Sequence, residues 1–167
     1  MNMLENGTRM QRRVFKDSPV GPLTLISEEG KLRDVQFGLE LAGDSRDRAS
    51  ASMCPVLRQA ERELAEYFEG KRRDFSLSLT WRGTSFQNRV WKVLCEIPFG
   101  STCSYSDLAR RIGSPQSARA VGVALGRNPI VILVPCHRVI GADGSLVGFG
   151  GGLEIKRKLL EHEAQYR

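Results

Sequence analysis

No apolar run in this 167-residue chain approaches the ~20 residues that cross a bilayer. The opening stretch MNMLENGTRMQRRVF lacks the apolar core of a signal peptide, so the expectation is a cytoplasmic protein with no membrane partner. Its four cysteines, Cys54, Cys95, Cys103 and Cys136, are scattered, with no C-x-x-C pair and no paired histidine. That pattern does not spell a zinc site, and no metal or cofactor is expected. Without a secretion signal the cysteines read as reduced thiols, with Cys54, Cys95 and Cys103 as small buried or half-buried side chains.

What is present fits a soluble globular protein, at 41% hydrophobic and 26% charged residues, long enough for one medium domain or two small ones. The net charge of +6 favours a polyanionic partner such as nucleic acid, although many basic proteins bind none.

The first half reads as α+β. Three short strands are predicted over RRVFKD, SPVGPLTLIS and EEGKLRDVQFG, punctuated by Pro and Gly. LELAGDSRDRASAS reads as an exposed loop. From Pro55 a helix is predicted to near Gly70, with Val56, Ala60, Leu64, Tyr67 and Phe68 on one face. DFSLSLTW, residues 74–81, alternates like a strand. The texture changes near residue 83, which divides the chain into 1–82 and 83–167.

The second half is mostly helical. Thr84 or Ser85 can cap a helix carrying Phe86, Val90, Val93, Leu94 and Ile97, stopped by Pro98-Phe99-Gly100. Ser106 can cap a short helix from Asp107 to Ile112. After a Gly113-Ser114-Pro115 turn, a second helix runs from about Gln116 to Leu125, which gives a helix-turn-helix pattern. Ser117, Ala118, Ala120, Gly122 and Ala124 make this helix small-faced, with Arg119 projecting. Such a face suits either close packing on another helix or close approach to a nucleic-acid groove.

The chemistry concentrates in NPIVILVPCHRVIG, where an apolar strand-like run ends at Pro135 and presents Cys136, His137 and Arg138. A nucleophilic cysteine needs a thiolate, a base and a group that orients the base. Adjacent side chains point apart on a strand. A turn after Pro135 would instead bring His137 near the thiol, directly or through a water. Glu161 and Glu163 flank the other histidine, His162, and either carboxylate could orient His137 if the last helix folds back. The competing interpretation is a packed cysteine beside a satisfied histidine.

Asn128-Pro129, ILVPCHRVIG, GFGGG and KRKLLEHE together resemble the O6-alkylguanine-DNA alkyltransferases, or methylated-DNA–protein-cysteine methyltransferases. The resemblance runs from about Gly83 to Glu163, and the first half fits the family's smaller N-terminal domain more loosely. It implies an α+β protein: a small ribonuclease H-like N-terminal domain, then a helical domain with a winged-helix-like helix-turn-helix. It further implies DNA repair by direct reversal. O6-methylguanine is flipped from duplex DNA and its alkyl group moves irreversibly to Cys136, with other O6-alkylguanines and O4-methylthymine as further substrates. The implied partner is duplex DNA, bound mainly through the minor groove by a monomer.

The resemblance also assigns roles. Cys136 is the acceptor, His137 its base through a bound water, and Glu163, ahead of Glu161, the carboxylate that holds the imidazole. Asn128 ties the turn before the acceptor, and Tyr105 helps rotate the nucleotide and protonates the guanine leaving group. Arg119 fills the gap left by the flipped base, while Ser117, Ala118, Ala120, Gly122 and Arg127 approach the DNA. Val139, Val147, Phe149, Gly150 and Gly151 line the base pocket, beside Lys156.

Two positions depart from the family pattern: Phe149 stands where many relatives have tyrosine, and Val123 where glycine is common. With no histidine before residue 137, the zinc site of some members is absent. The main rival is a non-catalytic alkyltransferase-like protein that binds lesions and recruits excision repair, but such proteins usually carry tryptophan in place of the cysteine. A thiol hydrolase would need an oxyanion hole that nothing here specifies, and a transcription regulator would need a further DNA-binding domain.

Overall fold

The computed structural model describes residues 10–39 and 54–167, so the predicted loop LELAGDSRDRASAS lies outside the described residues except at its first residue, Leu39. β1 (Met10–Phe15), β2 (Leu23–Glu28) and β3 (Lys31–Phe37) form an antiparallel meander in that order. Glu28 pairs with Lys31 across a two-residue hairpin, Glu29-Gly30, both at positive φ. That geometry matches the twist of the flanking strands. Helix α1 (Pro55–Phe68) buries Val56, Leu57, Ala60, Leu64 and Tyr67, with Pro55 in its first turn, where a missing N–H costs nothing.

Residues 74–81 do not form the predicted strand. Only Leu79 bridges, to Leu32, where the Leu32 N–H donates to the Ser78 carbonyl and the Thr80 N–H to the Leu32 carbonyl, both at 2.9 Å. The segment is held instead by Glu63 of α1. Its buried carboxylate accepts from the Ser76 N–H at 2.9 Å and from the Ser76 hydroxyl at 2.5 Å. A side-chain anchor replaces the ladder.

In the second half, Thr84 caps α2 (Ser85–Leu94) through a reciprocal box with Gln87. Helix α3 spans Tyr105–Arg111, two residues earlier than expected, because Ser104 and not Ser106 forms the capping box with Asp107. Tyr105 is therefore the first residue of a helix. After Gly113, which sits at φ 76°, α4 (Ala118–Gly126) follows and completes the helix-turn-helix. The Trp91 indole N–H donates to the Ala124 carbonyl at 2.9 Å and ties α2 to α4.

The run Ile130–Leu133 is not a strand either. Ile130 makes a single bridge to Val35, after which Ile132 takes φ 73° and the backbone coils tightly into a 3-10 turn, Cys136–Arg138. The bridge joins the halves: the Val35 N–H donates to the Pro129 carbonyl at 2.9 Å, and the Val131 N–H to the Val35 carbonyl at 3.0 Å. Two-residue strands β4 (Cys103–Ser104) and β5 (Val139–Ile140) pair in parallel, and α5 (Leu153–Gln165) closes the fold. Cys103 is buried and Cys54 half-buried as expected, whereas Cys95, just past α2, is exposed. Among the described residues, no helix is long and apolar enough to cross a membrane.

Candidate active site

Cys136 opens the 3-10 turn with a thiol that is 6% exposed, in the wall of a cavity of about 390 Å³. Phe37 of β3, Arg127 and Asn128 after α4, and Phe149, Gly150 and Gly151 before α5 also line this cavity. Asn128 Nδ2 donates to the Val134 carbonyl at 2.7 Å and approaches the Cys136 sulfur at 3.1 Å, while its Oδ1 accepts from the Ile130 N–H at 3.0 Å. Burial pushes the Cys136 thiol above its ordinary value, against the opposing Asn128 contact and the Lys156 charge. The resting sulfur is therefore a thiol and needs a base.

His137 is fully buried, and its Nε2 lies 2.7 Å from Glu163 Oε1. Burial lowers the imidazole's pKa despite that carboxylate, so the ring is neutral. Burial alone would raise Glu163, but its hydrogen bonds from His137 and Arg138 prevail and hold it ionised, well below the usual carboxylate range. An ionised carboxylate only accepts, so Nε2 carries the ring proton and Nδ1 keeps a free lone pair. Nδ1 is buried and has no hydrogen-bond partner among the described residues. A neutral base with its acceptor nitrogen unsatisfied, one residue along the turn from a protonated thiol and not hydrogen-bonded to it, can take that proton through a bridging water.

Glu163 accepts five hydrogen bonds. Oε1 accepts from His137, from the Tyr67 hydroxyl at 2.9 Å and from an Arg138 terminal nitrogen at 2.9 Å. Oε2 accepts from Arg138 Nε at 2.9 Å and the Gly100 N–H at 3.0 Å. Sequence reasoning gave no role to Tyr67 or Arg138. Arg138 stood in the motif, beside the histidine, whereas Tyr67 carried only the signature of a core residue. Of the two candidate carboxylates, Glu161 is the one on the surface, 3.8 Å from Arg157.

Lys156 is buried and donates to the Val147 carbonyl at 3.0 Å, and the Tyr105 hydroxyl reaches the same carbonyl at 2.9 Å. Val147 itself is 49% exposed and Val139 lies fully buried in β5, so neither side chain lines the cavity. On α4, Arg119, Ala120 and Val123 form an exposed face that continues into Gly126 and Arg127. Ser117, Ala118 and Gly122 are half-buried beside it. Arg119 has no hydrogen-bond or ion-pair partner among the described residues. A Cβ on Gly122 would meet the Tyr105 ring at 3.7 Å, ordinary contact, so packing on that ring does not demand glycine there. Among the described residues, no cluster of three or more His, Cys, Asp or Glu could hold a metal.

Fold and site together define a helix-turn-helix protein with a buried cysteine followed by a carboxylate-held histidine. The family model "6-O-methylguanine DNA methyltransferase, DNA binding domain" matches residues 85–165, and the model of that family's ribonuclease-like domain matches residues 12–81. A methylated-DNA–protein-cysteine methyltransferase of Methanosarcina barkeri is 47% identical over 150 residues, covering 88% of this chain and 93% of its own. One from Mycobacterium bovis is 48% identical over 147 residues, covering 88% of each chain. The crystal structure of Mycobacterium tuberculosis O6-methylguanine methyltransferase superposes with a TM-score of 0.82 at 46% identity, covering 95% of both chains. A second structure, Mycobacterium tuberculosis OGT in complex with DNA, gives 0.82 at 43% identity over 94% of this chain and 93% of that one. The chain belongs to the 6-O-methylguanine-DNA methyltransferase family.

Proposed function

We propose that this protein is a DNA repair methyltransferase that removes the alkyl group from O6-alkylguanine in duplex DNA and keeps it on Cys136. The carrying observation is the thiol in the cavity wall, held by Asn128 and followed by a neutral histidine whose Nδ1 is free to accept a proton. The duplex hides O6, so the base leaves the stack first at a cost of a few kcal/mol, least for a poorly pairing lesion. Arg119, exposed and unpartnered among the described residues, fills the space the base vacates.

The thiol proton passes through a bridging water to His137 Nδ1. The thiolate attacks the alkyl carbon, an S–C bond forms as the C–O6 bond breaks, and the electron pair leaves on guanine, which takes a proton from the Tyr105 hydroxyl. The thioether is stable, so each molecule reacts once.

The small, exposed face of α4 supports approach to the minor groove, with Arg127 on the phosphates, and largely sequence-independent, salt-sensitive binding. Residues 1–82 form a supporting domain, and 83–167 the DNA-binding and acceptor domain. The protein acts as a monomer in the cytoplasm.

Intact mass after mixing with a duplex that carries one O6-methylguanine tests the reading. A single gain of one methylene, mapped to Cys136 and absent in Cys136→Ser, is expected. Tight lesion binding without a mass gain would replace it with the recruiting-protein reading.

A further inference from the structure

Tyr67 reaches the site from the other half of the chain. It lies in α1, 96 residues before Glu163 in sequence, and is fully buried. Its ring is fixed among Phe68, Phe75, Phe99 and His162 at centroid distances of 5.0 to 5.9 Å. Its carbonyl, in addition, lies 2.7 Å from His162 Nε2. A buried tyrosine usually finds some hydrogen-bond partner. Here the partner is Glu163 Oε1, the oxygen that also holds His137.

Three donors share that oxygen, which has about two lone pairs to offer. A shared acceptor binds each donor less strongly than it would alone. The Tyr67 phenol stays protonated, because burial, and then the Glu163 charge, drive its pKa far above the ordinary value. It is thus a permanent neutral donor. The other groups facing His137 are Glu163 and Lys156 of α5, and Cys136 and Arg138 of its own turn. Arg138 already balances the Glu163 charge, so a protonated His137 would add an uncompensated cation to a buried site.

We propose that Tyr67 is a positioning residue for the transfer chemistry: by sharing Glu163 Oε1 it restrains the carboxylate's pull on His137 and keeps the imidazole a neutral base in the resting protein. This rests on the reading of His137 as the base for Cys136, and it gives the N-terminal half a direct part in the active site.

Tyr67→Phe keeps the ring and removes only the donor. The chain has two histidines, so ring-nitrogen NMR of histidine-labelled protein resolves His137 against His162. His162 packs on the Tyr67 ring and reports whether that packing survives. With the His162 signals unmoved, the His137 protonation midpoint is expected to rise by roughly half to one pH unit, the scale of one redistributed hydrogen bond. A midpoint that stays or falls overturns the proposal.

Should the variant not fold, a fluorotyrosine placed at 67 provides a stronger donor and must lower the midpoint; no shift there overturns it equally. The readout is a titration rather than transfer. Its failure leaves the alkyl-transfer reading standing, and failure of transfer in the mass experiment leaves the titration interpretable.

Discussion

Asn128 Nδ2 lies 3.1 Å from the Cys136 sulfur, and the same nitrogen donates to the Val134 carbonyl at 2.7 Å. One amide therefore holds both the reactive atom and the turn that carries it. The turn needs such a tie because residues 130–135 have only one bridge to a strand, and Ile132 sits at φ 73°, a conformation rare for a β-branched residue.

Asn128→Ala would leave the buried Ile130 N–H without its partner, while the Val134 carbonyl keeps the Cys136 N–H at 2.8 Å. At about 1–3 kcal/mol for one unsatisfied buried group, a loss on that scale is expected in urea unfolding, together with loss of transfer. A variant within about 0.5 kcal/mol of the parent would show that the turn holds itself.

Lys156 places a buried ammonium near the thiol, and its charge lowers the Cys136 pKa against burial. Lys156→Met removes that charge while keeping much of the volume. The thiol should become harder to ionise, so the pH midpoint of transfer moves upward. A slower reaction with an unmoved midpoint would assign Lys156 to holding the Val147 carbonyl alone.

Glu163 couples the site to acid stability. Its folded pKa lies below the ordinary 4.5, so its contribution is complete above that pH and drains away as pH falls through the depressed value. Glu163→Gln strands the buried Arg138 guanidinium, and breaking such a pair costs about 3–5 kcal/mol at neutral pH. Urea midpoints across pH should show the variant lower at neutrality and flatter below pH 4.5. Parallel curves would place the acid sensitivity elsewhere.

The motif and its nearest chemistry were legible in the sequence. Cys136, His137, Asn128 and Glu163 converge because a turn, and not a strand, follows Asn128, and the proline before Cys136 hinted at that. The two apolar stretches read as strands, 74–81 and 130–133, misled for one reason. Alternation and β-branching report a half-buried extended segment, but not whether a neighbouring strand is available along its length. The start of α3 was readable, since Ser104 and Asp107 have capping-box spacing, but a second serine at 106 competed for the assignment. Tyr67 was hidden for a different reason. Its helical spacing marks it as core, and only the tertiary fold decides that its hydroxyl meets a carboxylate from the far end of the chain.

Two adjacent glycines separate packing from recognition. A Cβ on Gly151 would stand 2.7 Å from the Phe37 ring and 3.2 Å from Phe149, and both rings line the cavity. Gly151→Ala must push one ring into the cavity beside Cys136, so both stability and transfer should fall. A Cβ on Gly150 meets nothing within 4 Å, so Gly150→Ala should unfold within about 0.5 kcal/mol of the parent. If the flipped guanine is read by the backbone at Gly150, the added methyl occupies the base's place. Transfer should then drop at least tenfold at unchanged stability, corresponding to about 1.4 kcal/mol in the transition state. Single-turnover rates on a lesion duplex, measured beside unfolding curves, distinguish the two variants. A Gly150→Ala protein that transfers at the parent rate would move base recognition away from this loop and onto the α4 side of the cavity.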